Sequence, residues 1–98
     1  MHYCLGIEST AHTFGVGIID FDGKIVANAK DSFTTEQGGL IPAEVAKHHD
    51  AVKDRVFAEA LAQAKLQLND IALIAYSRGP GLTSAILAVG QKFAIELA

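Results

Sequence analysis

Two glycine-rich segments hold the residues of this sequence best suited to chemistry. The first, Tyr76-Ser77-Arg78-Gly79-Pro80-Gly81-Leu82-Thr83-Ser84, is wedged between an apolar strand-like run and an apolar helix-like run. Such a turn brings bare backbone N–H groups to a helix N-terminus, where a phosphate is readily held. The second, Gly6-Ile7-Glu8-Ser9-Thr10-Ala11, follows one apolar strand pattern and turns back into another at Gly15-Val16-Gly17-Ile18-Ile19. Glu8, Ser9 and Thr10 offer a carboxylate and two hydroxyls beside backbone amides, which suits a phosphate and a hydrated cation. Each segment also has a purely structural reading. Ser9 and Thr10 can satisfy the backbone of a tight turn. Gly79 and Gly81 permit close backbone approach while Pro80 stiffens the turn, so this loop can equally be a strand-to-helix connection packed against the first loop.

Further candidates are scattered more thinly. Glu8 is a potential general base, but no partner carboxylate lies near it in sequence, and positioning of water or metal is the more modest role. His48 and His49 are adjacent on a helical segment, so they cannot chelate one metal from one helical face, which requires a spacing of four; one faces inward and one outward. Glu44 and His48 have that spacing and can touch, which makes His48 a candidate catalytic residue at a cleft wall, against the alternatives of a surface ion pair or a hydrogen-bonded core histidine. His12 and Arg78 read as solvent-facing. Cys4, the single cysteine, reads as a small buried strand residue without a redox role.

The elements that must position these groups follow from periodicity. Residues 3 to 7, 15 to 20 and 24 to 31 read as three strands, the last two joined by the turn Asp20-Phe21-Asp22-Gly23. The polar stretch from Ser32 to Ile41, with Gly38-Gly39, reads as a loop. A helix from about Pro42 to Lys65 follows, with Pro42 suited to its first turn and Glu44 favourable to its dipole. Val45, Val52, Val56 and Ala60 form its apolar stripe, widened by Phe57, Leu61, Ala64 and Leu68. Ile71 to Tyr76 is a short apolar run consistent with a strand covered on both faces. From Leu82 or Thr83, with Thr83 or Ser84 as cap, a second and almost wholly apolar helix runs to the terminus.

At 98 residues the chain is one domain, and its 50% hydrophobic content exceeds what so short a chain easily buries, so some apolar surface is expected to face a partner. No apolar run approaches the roughly 20 residues of a membrane span. No secretory leader is evident, which makes the expected location cytoplasmic. A net charge of −3 without a Lys or Arg cluster provides no electrostatic footprint for nucleic acid.

Gly6-Ile7-Glu8-Ser9-Thr10 with Gly15-Val16-Gly17, then Gly38-Gly39 with Glu44 and His48-His49, then Ser77-Arg78-Gly79-Pro80-Gly81-Leu82, in this order, resemble the N-terminal part of the Kae1/TsaD/Qri7 family, closest to its archaeal Kae1 branch. The resemblance covers the whole chain. It implies an α/β fold, the N-terminal subdomain of an actin-like (ribonuclease H-like) ATPase, in which a three-stranded meander is followed by helix, strand and helix. The activity it implies is transfer of a threonylcarbamoyl group from threonylcarbamoyl-adenylate to N6 of adenosine 37 in tRNAs that read codons beginning with A. It places ATP or threonylcarbamoyl-adenylate against the first and last loops, with Ser9, Thr10, Gly79 and Gly81 as the cofactor-binding candidates and Glu8 and His48 as the catalytic ones. The divalent metal of the complete protein, iron or zinc, is implied to be held by a His-x-x-x-His motif beyond Ala98, so that residues 1–98 are expected to form one truncated subdomain, inactive alone. Ala43 and Ala88 stand where such proteins often carry Arg. The implied partners are a Pcc1-like small subunit docking on the helices at 42–65 and 83–98, with a Bud32-like kinase and tRNA in the full assembly.

Two other classes compete. One is a stand-alone docking module acting only through its helices, for which loss of partner binding on Val56→Asp is the diagnostic. The other is an actin-like small-molecule kinase; Asp20, Asp22 and Asp31 fall at hairpin turns or strand ends, not where a catalytic Asp is wanted.

Overall fold

The computed structural model describes residues 2–34, 41–81 and 84–98. The expected Gly38-Gly39 loop and the Thr83 cap lie outside them. Three strands, β1 (Tyr3–Glu8), β2 (Thr13–Asp20) and β3 (Ile25–Ser32), form the meander; helix α1 (Pro42–Ala64), strand β4 (Ile71–Tyr76) and helix α2 (Ser84–Leu97) follow. The sheet order is β3-β2-β1-β4. β1 runs antiparallel to β2 and parallel to β4, and β2 runs antiparallel to β3. The architecture is the α/β arrangement expected from the sequence, with β2 beginning two residues earlier than the apolar pattern alone indicates.

One face of the sheet carries the core. Leu5 and Ile7 of β1, Phe14, Val16 and Ile18 of β2, and Ala27 and Ala29 of β3 alternate inward, where Val56 and Ala60 of α1 and Phe93 and Ala94 of α2 cover them. Strand alternation sends the intervening residues to the opposite face, which is bare of any described helix or strand. Gly6 pairs with Gly17 and Glu8 with Gly15 across β1 and β2, so this face has a glycine floor.

Local chemistry explains the turns and ends. Asp20 Oδ1 accepts from the amides of Asp22 and Lys24 at 3.0 and 2.9 Å, and Gly23 takes φ +90°, which closes the β2–β3 turn. Pro42 starts α1 in place of a side-chain cap. Its end is made by Lys65 in the left-handed region (φ 57°), and Leu66 N donates to Leu61 O at 3.0 Å. A 3-10 turn at Leu68–Asp70 then leads into β4, closed by Gln67 N donating to Asp70 Oδ2 at 2.8 Å.

Several expectations are corrected. β4 is not covered on both faces: it is an edge strand, and Leu73 is 56% exposed, because both helices pack on the same side. Leu68 is not part of the α1 stripe; it lies in the 3-10 turn and is exposed. Cys4 is half-buried and not buried, since it sits on the bare face. Within the α1 stripe, Val56 and Ala60 are spent on the chain's own sheet, where both residues are fully buried. Val56→Asp would therefore break the core and cannot report on a partner.

Candidate active-site end of the sheet

β1, β3 and β4 all point the same way, so their C-terminal ends share one edge. α1 must carry the chain back from that edge, and two bonds fix its direction. Asp31 near the end of β3 meets His48 near the start of α1, while Asn28 further back along β3 donates its amide to Gln63 Oε1 at 2.8 Å near the end of α1. Both helices therefore begin at the edge where β1 and β4 end. Ligand sites in such sheets collect outside the carboxyl ends of parallel strands, and both glycine-rich loops lie there.

The two loops are one packed unit. Ser77 N donates to Ile7 O at 2.8 Å, continuing the β1–β4 ladder past Tyr76. Ser9 N donates to Ser77 Oγ at 3.1 Å, and Ser9 Oγ donates to Ile86 O at 2.9 Å in the first turn of α2. A side chain at Gly81 would place its Cβ 2.8 Å from Thr10 O and 2.7 Å from Leu87 Cδ2, so only glycine lets the second loop lie against the first. Gly90 does the same further along α2, where a Cβ would fall 2.9 Å from Ser9 Cβ.

The residues singled out in the sequence take distinct places. Glu8 is exposed at the end of β1. Its Oε1 accepts from Thr10 N at 2.7 Å and from the Thr10 hydroxyl. Ser9 is fully buried with its hydroxyl committed to Ile86 O, so it seats the loop and does not face a ligand. Gly81 makes the close approach; Gly79, preceding a cis bond to Pro80, is exposed and has open space around its Cα. The amides of Ser9 and Thr10 are satisfied within the chain, by Ser77 and Glu8. That donor set does not fit a phosphate, and the Glu8 carboxylate beside it opposes one. Arg78 and His12 are exposed, as expected.

The histidines differ from expectation. His48 does not pair with Glu44. Its Nε2 meets Asp31 Oδ1 at 2.7 Å, and its Nδ1 meets His49 Nδ1 at 2.8 Å. His49 is fully buried, and its Nε2 donates to Ala11 O at 2.7 Å, in the first loop. Arg55 binds the other oxygen of Asp31 and also Glu59. The hydrogen bond from His48, and after it Arg55, holds the Asp31 carboxyl below the usual carboxylate range despite the opposing effect of burial. Burial depresses the His49 pKa, the bond to Ala11 opposing it. Neither Asp31 nor Arg55 was a sequence candidate for this site. The signals were there: Ala27, Ala29 and Asp31 share one strand face, which puts a carboxylate where an apolar residue is due, and Arg55 lies two helical turns from His48.

Two cavities flank this end. One of about 440 Å³ lies on the bare face of the sheet over Gly6, Gly15 and Gly17, with Glu8, Lys30 and Ser77 among its lining residues. The other, about 390 Å³, is a groove between α1 and α2 that includes Ala43, Ala46, Ala85 and Ala88. The two alanines standing where Arg is frequent in the resembled family both line that groove. Among the described residues no group of three His, Cys, Asp or Glu side chains is placed to hold a metal ion. No helix among them is long and apolar enough to cross a membrane.

The family model for TsaD, tRNA N6-adenosine threonylcarbamoyltransferase, matches residues 24–98. The chain belongs to the TsaD family. A tRNA N6-adenosine threonylcarbamoyltransferase of Sulfurisphaera tokodaii is 47% identical over 96 residues, covering 95% of this chain and 28% of the relative. Another from Thermococcus sibiricus is 46% identical over 85 residues, covering 87% of this chain and 26% of the relative. This TsaD-family chain thus spans about a quarter of the length of the curated relatives it matches. Among solved structures, YeaZ from Pseudomonas aeruginosa superposes with a TM-score of 0.75 at 16% identity, covering all of this chain and 39% of that one. That likeness concerns the fold alone.

Proposed function

We propose that this chain forms the N-terminal, loop-bearing part of a cytoplasmic transferase that moves a threonylcarbamoyl group from threonylcarbamoyl-adenylate to N6 of adenosine 37 in tRNA. The family match over residues 24–98 carries the reading. The fusion of both glycine-rich loops at one sheet edge supports it, because an acyl transfer needs its groups held in fixed relation. Glu8 is the residue assigned to the chemistry. Thr10 fixes one of its oxygens, which orients an exposed carboxylate to position the attacking N6 amine or to take its proton. Ser9, Gly81 and the histidine pair hold the loop that carries it. The metal is assigned to residues of the complete transferase; with the amides of Ser9 and Thr10 already occupied, the Gly79–Gly81 turn is the part of this chain left to approach the nucleotide.

A chimera tests this. The corresponding segment of the Sulfurisphaera tokodaii relative is replaced by residues 1–98, and threonylcarbamoyl transfer to tRNA is measured. The chimera is expected to transfer, the chain alone is not, and Glu8→Gln in the chimera is expected to lose roughly 10²-fold or more in rate. An inactive but folded chimera overturns the reading, as does transfer by the chain alone.

The groove between α1 and α2 favours a second role for the same chain. Ala43, Ala46, Ala85 and Ala88 line it, and small residues let another helix approach closely. We propose this groove, not the Val56 stripe, as the dock for a small helical subunit of the Pcc1 type. Ala85→Arg, at an exposed position of the groove, should abolish co-purification with that subunit while leaving the chain folded; retained binding sinks the assignment.

A further inference from the structure

Four ring nitrogens meet in the His48–His49 pair, and their partners fix where protons must be. The Asp31 carboxylate only accepts, so His48 Nε2 carries a proton. The Ala11 carbonyl only accepts, so His49 Nε2 carries one as well. If both rings were neutral, those two protons would be all they had, and the facing Nδ1 atoms, 2.8 Å apart, would oppose lone pair to lone pair. Turning either ring over would put carbon against Asp31, Ala11 or the neighbouring ring, so the orientation is fixed by its own hydrogen bonds.

From this count we infer that His48 and His49 together hold three protons and one positive charge, forming a charged strut that runs from Asp31 to Ala11 O and positions the Glu8–Ala11 loop. The extra proton lies between the two Nδ1 atoms and belongs mainly to His48. His48 is partly exposed and faces Asp31, whereas His49 is fully buried and resists charge. Arg55 on the second oxygen of Asp31 keeps that proton on the imidazole and off the carboxylate. The groups facing the pair are Asp31 from β3, Arg55 from α1 with Glu59 beyond it, and Glu8 from β1. β2 presents the Phe14 ring to His49, and Phe33 sets its ring edgewise to His48. Apart from Arg55, every one of those charges is a carboxylate, a setting that suits a shared positive charge. These are positioning residues: neither ring is assigned to touch a substrate.

The strut therefore works within a pH window. Adding a fourth proton sets Nδ1–H against Nδ1–H inside the core, and burial places that limb below the ordinary histidine value of about 6.5. Removing the third proton restores the lone-pair opposition. Either change releases Ala11 O and loosens the loop that bears Glu8.

The test is ¹⁵N NMR of the whole chain labelled at histidine, with His2→Gln and His12→Gln, both exposed positions, leaving only the pair. At neutral pH three ring nitrogens should read as protonated and one, His49 Nδ1, as unprotonated. The Ala11 carbonyl resonance should shift at the same two pH values as the rings. Asp31→Asn supplies the decisive contrast. Its amide can donate to His48 Nε2, so the count should fall from three protons to two with the Ala11 bond intact. Two protonated nitrogens in the unmodified pair, independent titration of the rings, or an unchanged count in folded Asp31→Asn each overturn the inference. The wild-type titration decides by itself if Asp31→Asn does not fold.

Discussion

Replacing Gly90 with alanine puts the packing of the loops under direct test. On helix propensity alone the change stabilises, by about 0.8–1.0 kcal/mol. The structure predicts the opposite sign. The new Cβ would stand 2.9 Å from Ser9 Cβ and 3.6 Å from Ile7 Cγ2. Neither neighbour gives way cheaply: Ser9 is pinned by Ser77 Oγ on one side and Ile86 O on the other, and Ile7 lies in the buried core of β1. Overpacking a tight site costs about 1–3 kcal/mol, and here the rigid partner places the cost in the upper part of that range. After the propensity gain, the net loss is about 1–2 kcal/mol. For a chain of this size that lowers the melting temperature by about 4–15 °C. Urea unfolding followed by circular dichroism measures it, with Ser9→Gly as the partner in a double-mutant cycle. Removing the Ser9 Cβ should recover part of the loss, giving a coupling energy of about 1 kcal/mol. A Gly90→Ala chain as stable as the parent, or additive effects in the cycle, would refute the claim that α2 is seated against Ser9.

Other outcomes follow from the same contacts. Asp31 is depressed in the folded chain, so its contribution is present above the unfolded carboxylate value of about 3.9 and lost as pH falls through the lower folded value; the acid limb of a stability–pH curve should be shallower for Asp31→Asn than for the parent. Asp20→Ala removes the acceptor of two turn amides and should cost about 1–3 kcal/mol by denaturant midpoint. Lys65→Gly relieves a left-handed residue at the end of α1 and should stabilise by roughly 0.5–1 kcal/mol, read as a higher urea midpoint. Val56→Asp puts a carboxylate at a fully buried position and should unfold the chain, seen as loss of the circular dichroism signal, with or without a partner.

The elements were legible because their signals are local. Period-two alternation marks β1 to β3, Pro42 marks the start of α1, and Asp20 with Gly23 marks a turn that the structure closes as expected. What failed depended on which elements share a face. The apolar run of β4 reads the same whether one or both sides are covered, and only the placement of both helices on one side leaves Leu73 exposed. At the site, the glycine loops were legible as loops, but the burial of Ser9 was not, because its partner Ile86 lies on another element far along the chain. His48 illustrates the same limit. Helical spacing offered Glu44 as its partner, and a strand carboxylate, Asp31, took that place instead.

The bond between Ser9 and Ile86 spans 77 positions of sequence, and the one between Ser9 and Ser77 spans 68. Closing loops of that length costs entropy that no neighbouring contact offsets in advance. The meander can form early from its own near-neighbour pairings, but the Glu8 loop acquires its seat only when β4 and the first turns of α2 arrive. Order of assembly thus makes this end of the sheet a late event in folding. A chain emerging during synthesis has its first three strands long before the Glu8 loop is seated, and the seating of that loop serves as a report that α2 has docked.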